Sequence, residues 1–239
     1  FIKQEVPFRL KEVIGVPEDE CSNELIEACV DRLYSDNDIM FDYDKIDADR
    51  KNALAARGYY QAFLQVKESV KEILQGANPG LIAGRDFEKW HFEMFQPCII
   101  PGIIKPSDLI GYRSGQVYIR GSKHTPLSPD AVRDVMPVLM ELLESEDNAI
   151  VRAVLGHFFF VYIHPYMDGN GRTARFLMNV MLVTGNHPWR IVTVEERTCY
   201  MAALEKASIE GDITDFAKVI MEGIYSSDGR IRKGDRRDK

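Results

Sequence analysis

The sequence predicts a mostly α-helical fold, with a helical core that carries one small β-hairpin and with an N-terminal helical extension. Three observations support this prediction. Apolar residues recur at helical spacing over most of the chain. β-forming residues flank a Ser-Gly pair at residues 112–120, a pattern that is typical of a short hairpin. No internal repeat or low-complexity tract is visible in the sequence.

The composition limits the size, partners and compartment of the protein. The 239 residues are enough for one domain, or one domain with a small appendage, and 45% hydrophobic residues can bury a sizeable core. The net charge of −7 argues against a general nucleic-acid surface, so we expect no nucleic acid partner. The four cysteines form no C-x-x-C pair, which favours reduced, buried thiols and a cytoplasmic location. No signal peptide is visible, and no apolar run reaches the roughly 18 residues of a membrane span.

The first third of the chain is interpreted as an N-terminal helical extension, residues 1–80. It starts at Phe1 rather than Met, so we expect further residues to precede it in the full protein. An irregular arm, a helix at residues 20–34 and an acidic connection lead into one long helix at residues 48–75. Gly, Asn and Pro residues at 76–80 end that helix and mark the predicted boundary with the core.

The core, residues 84–225, is expected to begin with a helix capped by Asp86. A second helix is predicted to start at Ser128, whose hydroxyl can cap it, followed by Pro129 at the first helical position. Pro137 is expected to kink this second helix, because a proline inside a helix removes a hydrogen bond and clashes with the preceding turn.

The remaining segments are assigned from their polarity and periodicity. Residues 97–126 are rich in Gly and Pro and break helical periodicity. Residues 189–194 are interpreted as a short extended piece, followed by two amphipathic helices at 195–207 and 212–225. Residues 226–239 are polar and highly charged, which predicts a disordered tail.

The most informative stretch runs from His164 to Arg175 and lies between apolar runs at residues 149–163 and 176–183. It is predicted to form a loop between two buried helices, with Arg172 and Arg175 in the first turn of the second helix. Glycines let the backbone approach an anion, and the amides at a helix N-terminus attract a phosphate. Two arginines three residues apart lie on one helix face and could hold phosphate oxygens.

Other kinds of site fit this stretch less well. An EF-hand calcium loop that started at Asp168 would place Arg172 and Asn179 at ligand positions, so that pattern fails. A plain turn explains the glycines but not the histidine and arginines beside them. No P-loop or nucleophile-elbow motif occurs in the sequence. His157 and His164 lack a third zinc ligand at metal spacing, so His157 is predicted to be a core histidine.

The residues of the stretch therefore indicate a nucleotide phosphate site with a base beside it. Asp168 is the only carboxylate in the loop and could hold Mg²⁺, which binds through few carboxylates together with substrate phosphates. Backbone amides around Gly169, Asn170 and Gly171 can form an anion nest. His164 belongs to the residue type that best accepts a proton near neutral pH.

These twelve residues resemble the signature of the Fic family, H-x-F-x-[DE]-G-N-G-R-x-x-R. Every defined position matches except one, where Tyr166 replaces phenylalanine and keeps an aromatic ring. The likeness extends over residues 84–225, where residues 111–124 are similar to the family's flap hairpin and residues 197–212 to its C-terminal helices. The expected fold is therefore a Fic-like helical core with a small β-hairpin flap.

The resemblance implies a protein adenylyltransferase, which transfers AMP from ATP to a Ser, Thr or Tyr hydroxyl of a target protein and releases pyrophosphate. By motif position, His164 is the catalytic base, and Asp168 holds the Mg²⁺ that bridges the α- and β-phosphates of the ATP substrate. The target protein is the implied partner, and it would pair with the flap near Val117 and Tyr118 by β-augmentation.

The resemblance also assigns the nucleotide-binding residues. They are Gly169, Asn170, Gly171, Arg172 and Arg175. Asn170 and the neighbouring amides would hold the α-phosphate and its developing charge. Arg172 would bind the β-phosphate region, and Arg175 would bind the γ-phosphate.

Other activities remain open on the same fold. A phosphotransferase branch of the family carries Lys at the position of Gly171, so the glycine here favours AMP transfer. A deAMPylating hydrolase and a non-catalytic nucleotide-binding module are two further possibilities. The hydrolase relies on an inhibitory glutamate, and the intact motif argues against the non-catalytic module.

The resemblance raises the question of inhibition, because many family members carry a helix with [ST]-x-x-x-E-[GN] whose glutamate pairs with the arginine matching Arg175. No Ser or Thr of this sequence has a Glu four residues later. The inhibitory segment could precede Phe1, come from a small antitoxin-like protein, or be a degenerate form using Glu24 or Glu27. A homo-oligomer is also left open, and no membrane partner is expected.

Overall fold

The computed structural model describes residues 48–227 of the chain and the side chains of residues 53–224. The arm, helix and connection predicted for residues 1–47 lie outside this part, as does the tail from residue 228 onward. Between these limits the chain forms seven α-helices, which confirms a mostly helical fold. The helices are α1 (Ala48–Leu74), α2 (Pro79–Phe95), α3 (Pro129–Ser145), α4 (Ala149–Ile163), α5 (Asn170–Val183), α6 (Arg197–Glu210) and α7 (Thr214–Ser227). None of the described helices is long and apolar enough to span a membrane.

The connection between α2 and α3 is mostly irregular, as its Gly- and Pro-rich sequence predicts. It contains two short 3₁₀ turns, Gln96–Cys98 and Pro106–Leu109. No strand occurs in the described part of the chain, so the hairpin expected at residues 112–120 stays a prediction.

The described residues form two compact units, and α1 and α2 contribute to both. The first unit contains residues 48–67 and 88–111. In this unit the two helices approach very closely at Gly58, where an added Cβ would lie 1.9 Å from the carbonyl oxygen of Met94. The contact requires a residue without a side chain at this position.

The second unit contains residues 68–87 and 112–227. Here the end of α1 and the start of α2 are joined by polar side chains. The guanidinium of Arg85 donates to both carboxylate oxygens of Glu72 at 2.9 and 3.0 Å, and the Ser69 hydroxyl donates to Asp86 at 2.7 Å.

The prediction that Asp86 caps α2 is wrong. The helix starts seven residues earlier at Pro79, and the side-chain oxygen of Asn78 caps it by accepting from the amides of Gly80 and Leu81 at 2.8 and 3.1 Å. Asn followed by Pro is a strong helix start, because the amide oxygen satisfies the first donors and proline fits the first turn. Asp86 therefore lies inside α2.

The centre of the second unit is formed by α4 and α5, which pack on each other, while α4 also packs on α3 and α7. Most residues of both helices are buried, as expected for helices in the middle of a bundle. Phe160 on α4 and Phe176 on α5 are fully buried. This pairing fixes the two ends of the loop that connects them.

The helix limits around this centre follow from capping residues. Ser128 caps α3 as predicted, since its hydroxyl oxygen accepts from the amide of Ala131 at 3.3 Å. Gly211, with a φ of 71°, ends α6, and the Asp212 carboxylate accepts from the amide of Thr214 at 3.0 Å at the start of α7. Helix α7 therefore begins two residues later than predicted and extends to Ser227, into the segment assigned to the tail.

The cysteines do not all match the expectation of burial. Cys199 is an exposed free thiol, and Cys98 is half-buried. The other two cysteines lie outside the described residues.

Candidate active site

The loop between α4 and α5 begins with a backbone turn at His164. This residue has a φ of 56° and a ψ of 61°, and its amide donates to the carbonyl of Phe160 at 3.0 Å. The left-handed conformation is common for glycine at a helix end and less favourable for a residue with a Cβ atom. Among the described residues, His164 and Asn186 are the two non-glycine residues with a positive φ.

The imidazole of His164 is held in a defined tautomer. Its Nδ1 atom lies 3.1 Å from the carbonyl oxygen of Val161, and a carbonyl can only accept, so Nδ1 carries the proton and Nε2 keeps the lone pair. Burial lowers the pKa of His164, and the nearby charges of Arg113 and His124 lower it further, against the opposing effects of the Val161 carbonyl and Asp168. The ring is therefore neutral at pH 7, the form a general base requires.

The side chain of Asn170 holds the loop together. Its Oδ1 accepts from the amide of Tyr166 at 2.9 Å, and its Nδ2 donates to the carbonyl of the same residue at 2.8 Å. Asn170 is 2% exposed, so these two bonds hold its side chain in the interior. Its backbone N–H lies in the first turn of α5.

The N-terminus of α5 is shaped for close approach by an anion. Gly169, with a φ of 84°, precedes the helix, and the first intrahelical bond runs from the amide of Thr173 to its carbonyl at 2.9 Å. The amides of Asn170 and Gly171 lie ahead of that bond, where helix N–H groups point away from the helix. A Cβ added to Gly171 would have one neighbour within 4 Å, Nη1 of Arg175 at 3.5 Å, so the space above the glycine is open.

Asp168 and Arg172 form an ion pair beside this opening. One carboxylate oxygen of Asp168 accepts from the amide of Gly169 at 2.5 Å, and the other lies 3.3 Å from Nη2 of Arg172. The Asp168 side chain is 75% exposed, so its oxygens are accessible to a cation. The described residues contain no group of three His, Cys, Asp or Glu side chains that could hold a metal ion. A single exposed carboxylate could hold Mg²⁺ only together with phosphates and water, which supply its other ligands.

Arg175 lies one turn further along α5 than the sequence suggested, in the second turn rather than the first. Its charge lies close enough to Tyr200 on α6 to oppose the rise that burial causes in the pKa of that hydroxyl. The Tyr200 hydroxyl is 2.6 Å from Nε2 of His157, and the His157 side chain is completely buried. The prediction of a core histidine at position 157 is therefore confirmed.

The flap segment, residues 114–127, runs past the loop in an irregular conformation. Tyr118 is 79% exposed and Val117 is half-exposed, so the two residues expected to dock a target are accessible. The side-chain amide of Gln116 donates to the carbonyl of Pro126 at 2.9 Å, which links the two sides of the segment.

The far end of the flap segment is anchored by Glu205 on α6. Its carboxylate accepts from the Ser122 hydroxyl at 2.5 Å and from the Lys123 amide at 2.7 Å. The hydrogen bond from Ser122 lowers the pKa of Glu205, so the carboxylate stays charged over the neutral range. His124 adds a second anchor, since its Nε2 lies 2.9 Å from the carbonyl oxygen of Tyr162.

Sequence reasoning did not find the residues that support this site. Arg113 was noted only as part of the hairpin-like stretch, yet it reaches the carbonyl of His164. Asn179 holds the 189–194 segment on α5, with its Oδ1 2.6 Å from the amide nitrogen of Arg190 and its Nδ2 3.0 Å from the carbonyl of that residue. These contacts join positions far apart in the chain, so no local spacing could indicate them.

Comparisons with known proteins agree with the geometry. Residues 85–182 match the model of the Fic/DOC family. Protein adenylyltransferase Fic of Nematostella vectensis is 37% identical over 123 residues, which make up 50% of this chain and 28% of that protein. Protein adenylyltransferase fic-1 of Caenorhabditis elegans is 36% identical over 112 residues, 45% of this chain and 22% of that protein. The matched part is less than a third of the length of either relative.

Solved structures show the same fold. Fic-1 (residues 134–508) from C. elegans superimposes with a TM-score of 0.62 and 20% identity, over 96% of this chain and 70% of that one. A Fic family protein from Desulfovibrio desulfuricans G20 gives a TM-score of 0.59 and 17% identity, over 97% of this chain and 76% of that one.

The helical core, with a glycine-containing loop at the start of α5, defines the class as a mostly helical fold. Within that fold, residues 85–182 are similar to the Fic/DOC family.

Proposed function

We propose that this chain is a protein adenylyltransferase that uses ATP and Mg²⁺ to attach AMP to a Ser, Thr or Tyr hydroxyl of a target protein. The observation that carries the proposal is the tautomer of His164, whose Nε2 lone pair is available beside the open N-terminus of α5. The curated relatives are named protein adenylyltransferases, which gives independent support over the matched part.

In this mechanism His164 acts as the general base. Its Nε2 accepts the proton of the target hydroxyl, and the hydroxyl oxygen attacks the α-phosphorus of ATP. The bond between that phosphorus and the oxygen that bridges to the β-phosphate breaks, and pyrophosphate leaves. The products are a phosphodiester between AMP and the target and a protonated His164, which returns its proton to solvent or to pyrophosphate.

The N-terminus of α5 binds the phosphates. The amides of Asn170 and Gly171 and the positive end of the helix dipole stabilise the charge that develops on the α-phosphate. Arg172 binds the β-phosphate region and Arg175 the γ-phosphate, consistent with their places at the start and one turn into the helix. Arginine suits both positions because its planar fork matches phosphate oxygens.

Asp168 is the residue that would hold Mg²⁺, and its exposed carboxylate beside Gly169 fits that role. When bound, the ion neutralises part of the charge on the α- and β-phosphates. Asp168 forms an ion pair with Arg172, so binding of Mg²⁺ by the first and of phosphate by the second would separate the two side chains.

The flap segment supplies the docking edge for the target. Val117 and Tyr118 lie in irregular, accessible backbone that can pair with an extended peptide as a short hairpin does. Recognition through backbone atoms orients the hydroxyl while reading little of the target sequence, so several targets could be accepted.

The chemistry can be tested with labelled ATP. Incubation of the chain with Mg²⁺ and α-³²P-ATP should label protein, at minimum the chain itself, and His164→Ala should abolish the label. Asp130, an exposed carboxylate at the start of α3, offers a control variant, since Asp130→Asn should label as wild type does.

The labelling experiment also separates the competing activities. Label from γ-³²P-ATP but not from α-³²P-ATP would indicate a phosphotransferase. ATP binding without label from either nucleotide would indicate a non-catalytic nucleotide-binding module. Release of AMP from a previously modified protein would indicate a deAMPylating hydrolase. An inhibitory segment or small partner protein, if one acts here, should suppress the label through Arg175.

A further inference from the structure

Arg113 is a buried arginine whose guanidinium is surrounded by backbone carbonyls. It is 4% exposed. Its Nε donates to the carbonyl of His164 at 2.8 Å, its Nη1 donates to that of Gly115 at 2.8 Å, and its Nη2 donates to that of Leu127. The backbone amide of Arg113 adds a bond to the carbonyl of Pro165 at 2.9 Å.

The charge of Arg113 has no ion-pair partner within 4 Å among the described residues, where its acceptors are neutral carbonyls. A buried cation loses its hydration, and burial accordingly lowers the pKa of Arg113. Hydrophobic residues fill most such positions in a core. Arginine differs from a hydrophobic residue in that its rigid, planar guanidinium can hold three acceptors at fixed angles.

The three carbonyls belong to two functional parts of the molecule. Gly115 and Leu127 stand at the two ends of the flap segment, so the guanidinium closes the base of that segment. The third carbonyl belongs to His164, in the residue with the left-handed backbone conformation. One side chain therefore connects the predicted docking edge to the peptide group that orients the catalytic base.

We propose that Arg113 is a positioning residue that sets the distance and angle between the target hydroxyl, held on the flap segment, and Nε2 of His164. The proposal rests on the proposed function of the site. Arg113 touches neither nucleotide nor target in this scheme and acts through the carbonyls it holds. Its loss should thus impair transfer while leaving ATP binding unchanged.

Arg152 provides a matched control. It is also buried, at 5% exposure, and donates to the carbonyl of Glu146 and, at 2.6 Å, to the hydroxyl of Thr184. Burial lowers its pKa as well. It lies near the start of α4, about 18 Å along the helix axis from His164. A general cost of altering a buried arginine should therefore appear when either Arg113 or Arg152 is replaced. A positioning effect should appear only when Arg113 is replaced.

The experiment compares Arg113→Lys with Arg152→Lys, since lysine keeps the charge but loses the planar fork. For R113K we expect self-labelling from α-³²P-ATP to fall by about 10-fold or more, because small misplacements of reacting groups have large effects on rate. The dissociation constant of ATP with Mg²⁺ should stay within about 2-fold of the wild-type value. R152K should retain both the label and the affinity.

A second readout does not depend on activity. In R113K, trypsin should cleave the native chain after Arg120 and Lys123 in the flap segment faster than in wild type, whereas R152K should leave this rate unchanged. If wild type itself fails to label, the proposed function is wrong, and the cleavage rates still test the coupling. The positioning role would be overturned if R113K labels and is cleaved at the wild-type rates. It would also be overturned if R152K loses as much label as R113K.

If R113K does not fold, hydrogen exchange of the wild-type protein tests the proposal instead. The shared guanidinium predicts that residues 114–127 and residues 164–169 open together, so hydrogen exchange should give the two segments the same free energy of opening. Different opening free energies would show that Arg113 does not couple them.

Discussion

Nε2 of His157 lies 2.6 Å from the hydroxyl oxygen of Tyr200, and both side chains are buried. The charge of Arg175 also acts on this hydroxyl and opposes the rise in its pKa that burial causes. Residues of α4, α6 and α5 thus come together at Tyr200.

The first prediction follows from removing the Tyr200 hydroxyl. Tyr200→Phe leaves Nε2 of His157 without its partner, and burying an unsatisfied group costs about 1–3 kcal/mol of unfolding free energy. It also removes a polar group near Arg175, the residue proposed to bind the γ-phosphate, so the affinity for ATP should fall several-fold while the affinity for ADP, which lacks the γ-phosphate, changes less. Urea unfolding and calorimetric titration measure the two effects. Tyr118→Phe, at an exposed position, serves as the control and should alter neither, and equal losses for ATP and ADP would contradict the placement of Arg175 on the γ-phosphate.

The second prediction concerns stability at low pH. Burial lowers the pKa of His157 from 6.5 to about 3, with a smaller contribution from the charge of Arg175. Between these values the unfolded chain binds a proton that the folded chain does not, so the free energy of unfolding declines as the pH falls below 6.5. The contribution of one such group is about 1.4 kcal/mol per pH unit.

His157→Phe should remove this contribution. The variant is expected to be less stable than wild type at pH 7.5, because the buried Tyr200 hydroxyl loses its partner, but its unfolding free energy should decrease less between pH 6.5 and 5. Urea unfolding at several pH values gives the two slopes. The variant should still lose some stability as the pH falls, because His164 also has a lowered pKa in the folded protein. Identical slopes for variant and wild type would mean that His157 is not held neutral.

The third prediction concerns the pH dependence of transfer. Because burial lowers the pKa of His164, the base form persists below pH 6.5, and kcat/KM should begin to fall only on the acid side of that value. The imidazole signals of His164 in an NMR titration should show the same pKa as the kinetics. These signals can be assigned because they are missing from the spectrum of the His164→Gln variant. A midpoint above 6.5 in both measurements would show that Arg113 and burial do not control this group.

The sequence predicts those helix limits that are determined by residues within or next to the helix itself. The helices α1, α3, α4 and α5 were predicted close to their observed limits, because apolar periodicity and caps such as Ser128 are written within each segment. The start of α2 was missed because Asn78 and Pro79 were taken as the end of the previous helix. Asn followed by Pro is nevertheless a local signal for a helix start, and the Asn78 side chain caps α2 in the structure.

The candidate site divides in the same way. The loop from His164 to Arg175 was found because its residues are consecutive. The residues that orient it are not, since Arg113 reaches His164 across 51 positions and Tyr200 reaches His157 across 43. The side chain of Asn170 shows a different limit, because the motif names the residue but does not indicate the two hydrogen bonds to Tyr166 by which it holds the loop.

The last prediction uses two glycines to separate folding from catalysis. A Cβ at Gly171 would have only Nη1 of Arg175 nearby, at 3.5 Å, so Gly171→Ala should fold normally and could gain up to about 1 kcal/mol from the better helix propensity of alanine. The methyl group would nevertheless occupy the space proposed for the α-phosphate, so labelling from α-³²P-ATP should fall by about 10-fold or more. Gly80→Ala is the opposite case, because its Cβ would lie 2.3 Å from the amide nitrogen of Glu144 and should lower the unfolding free energy by about 1–3 kcal/mol. Thermal unfolding and labelling at a temperature where both variants are folded give the comparison. If Gly171→Ala labels at the wild-type rate, the α-phosphate does not bind above that glycine, and the assignment of AMP transfer to the N-terminus of α5 loses its geometric support.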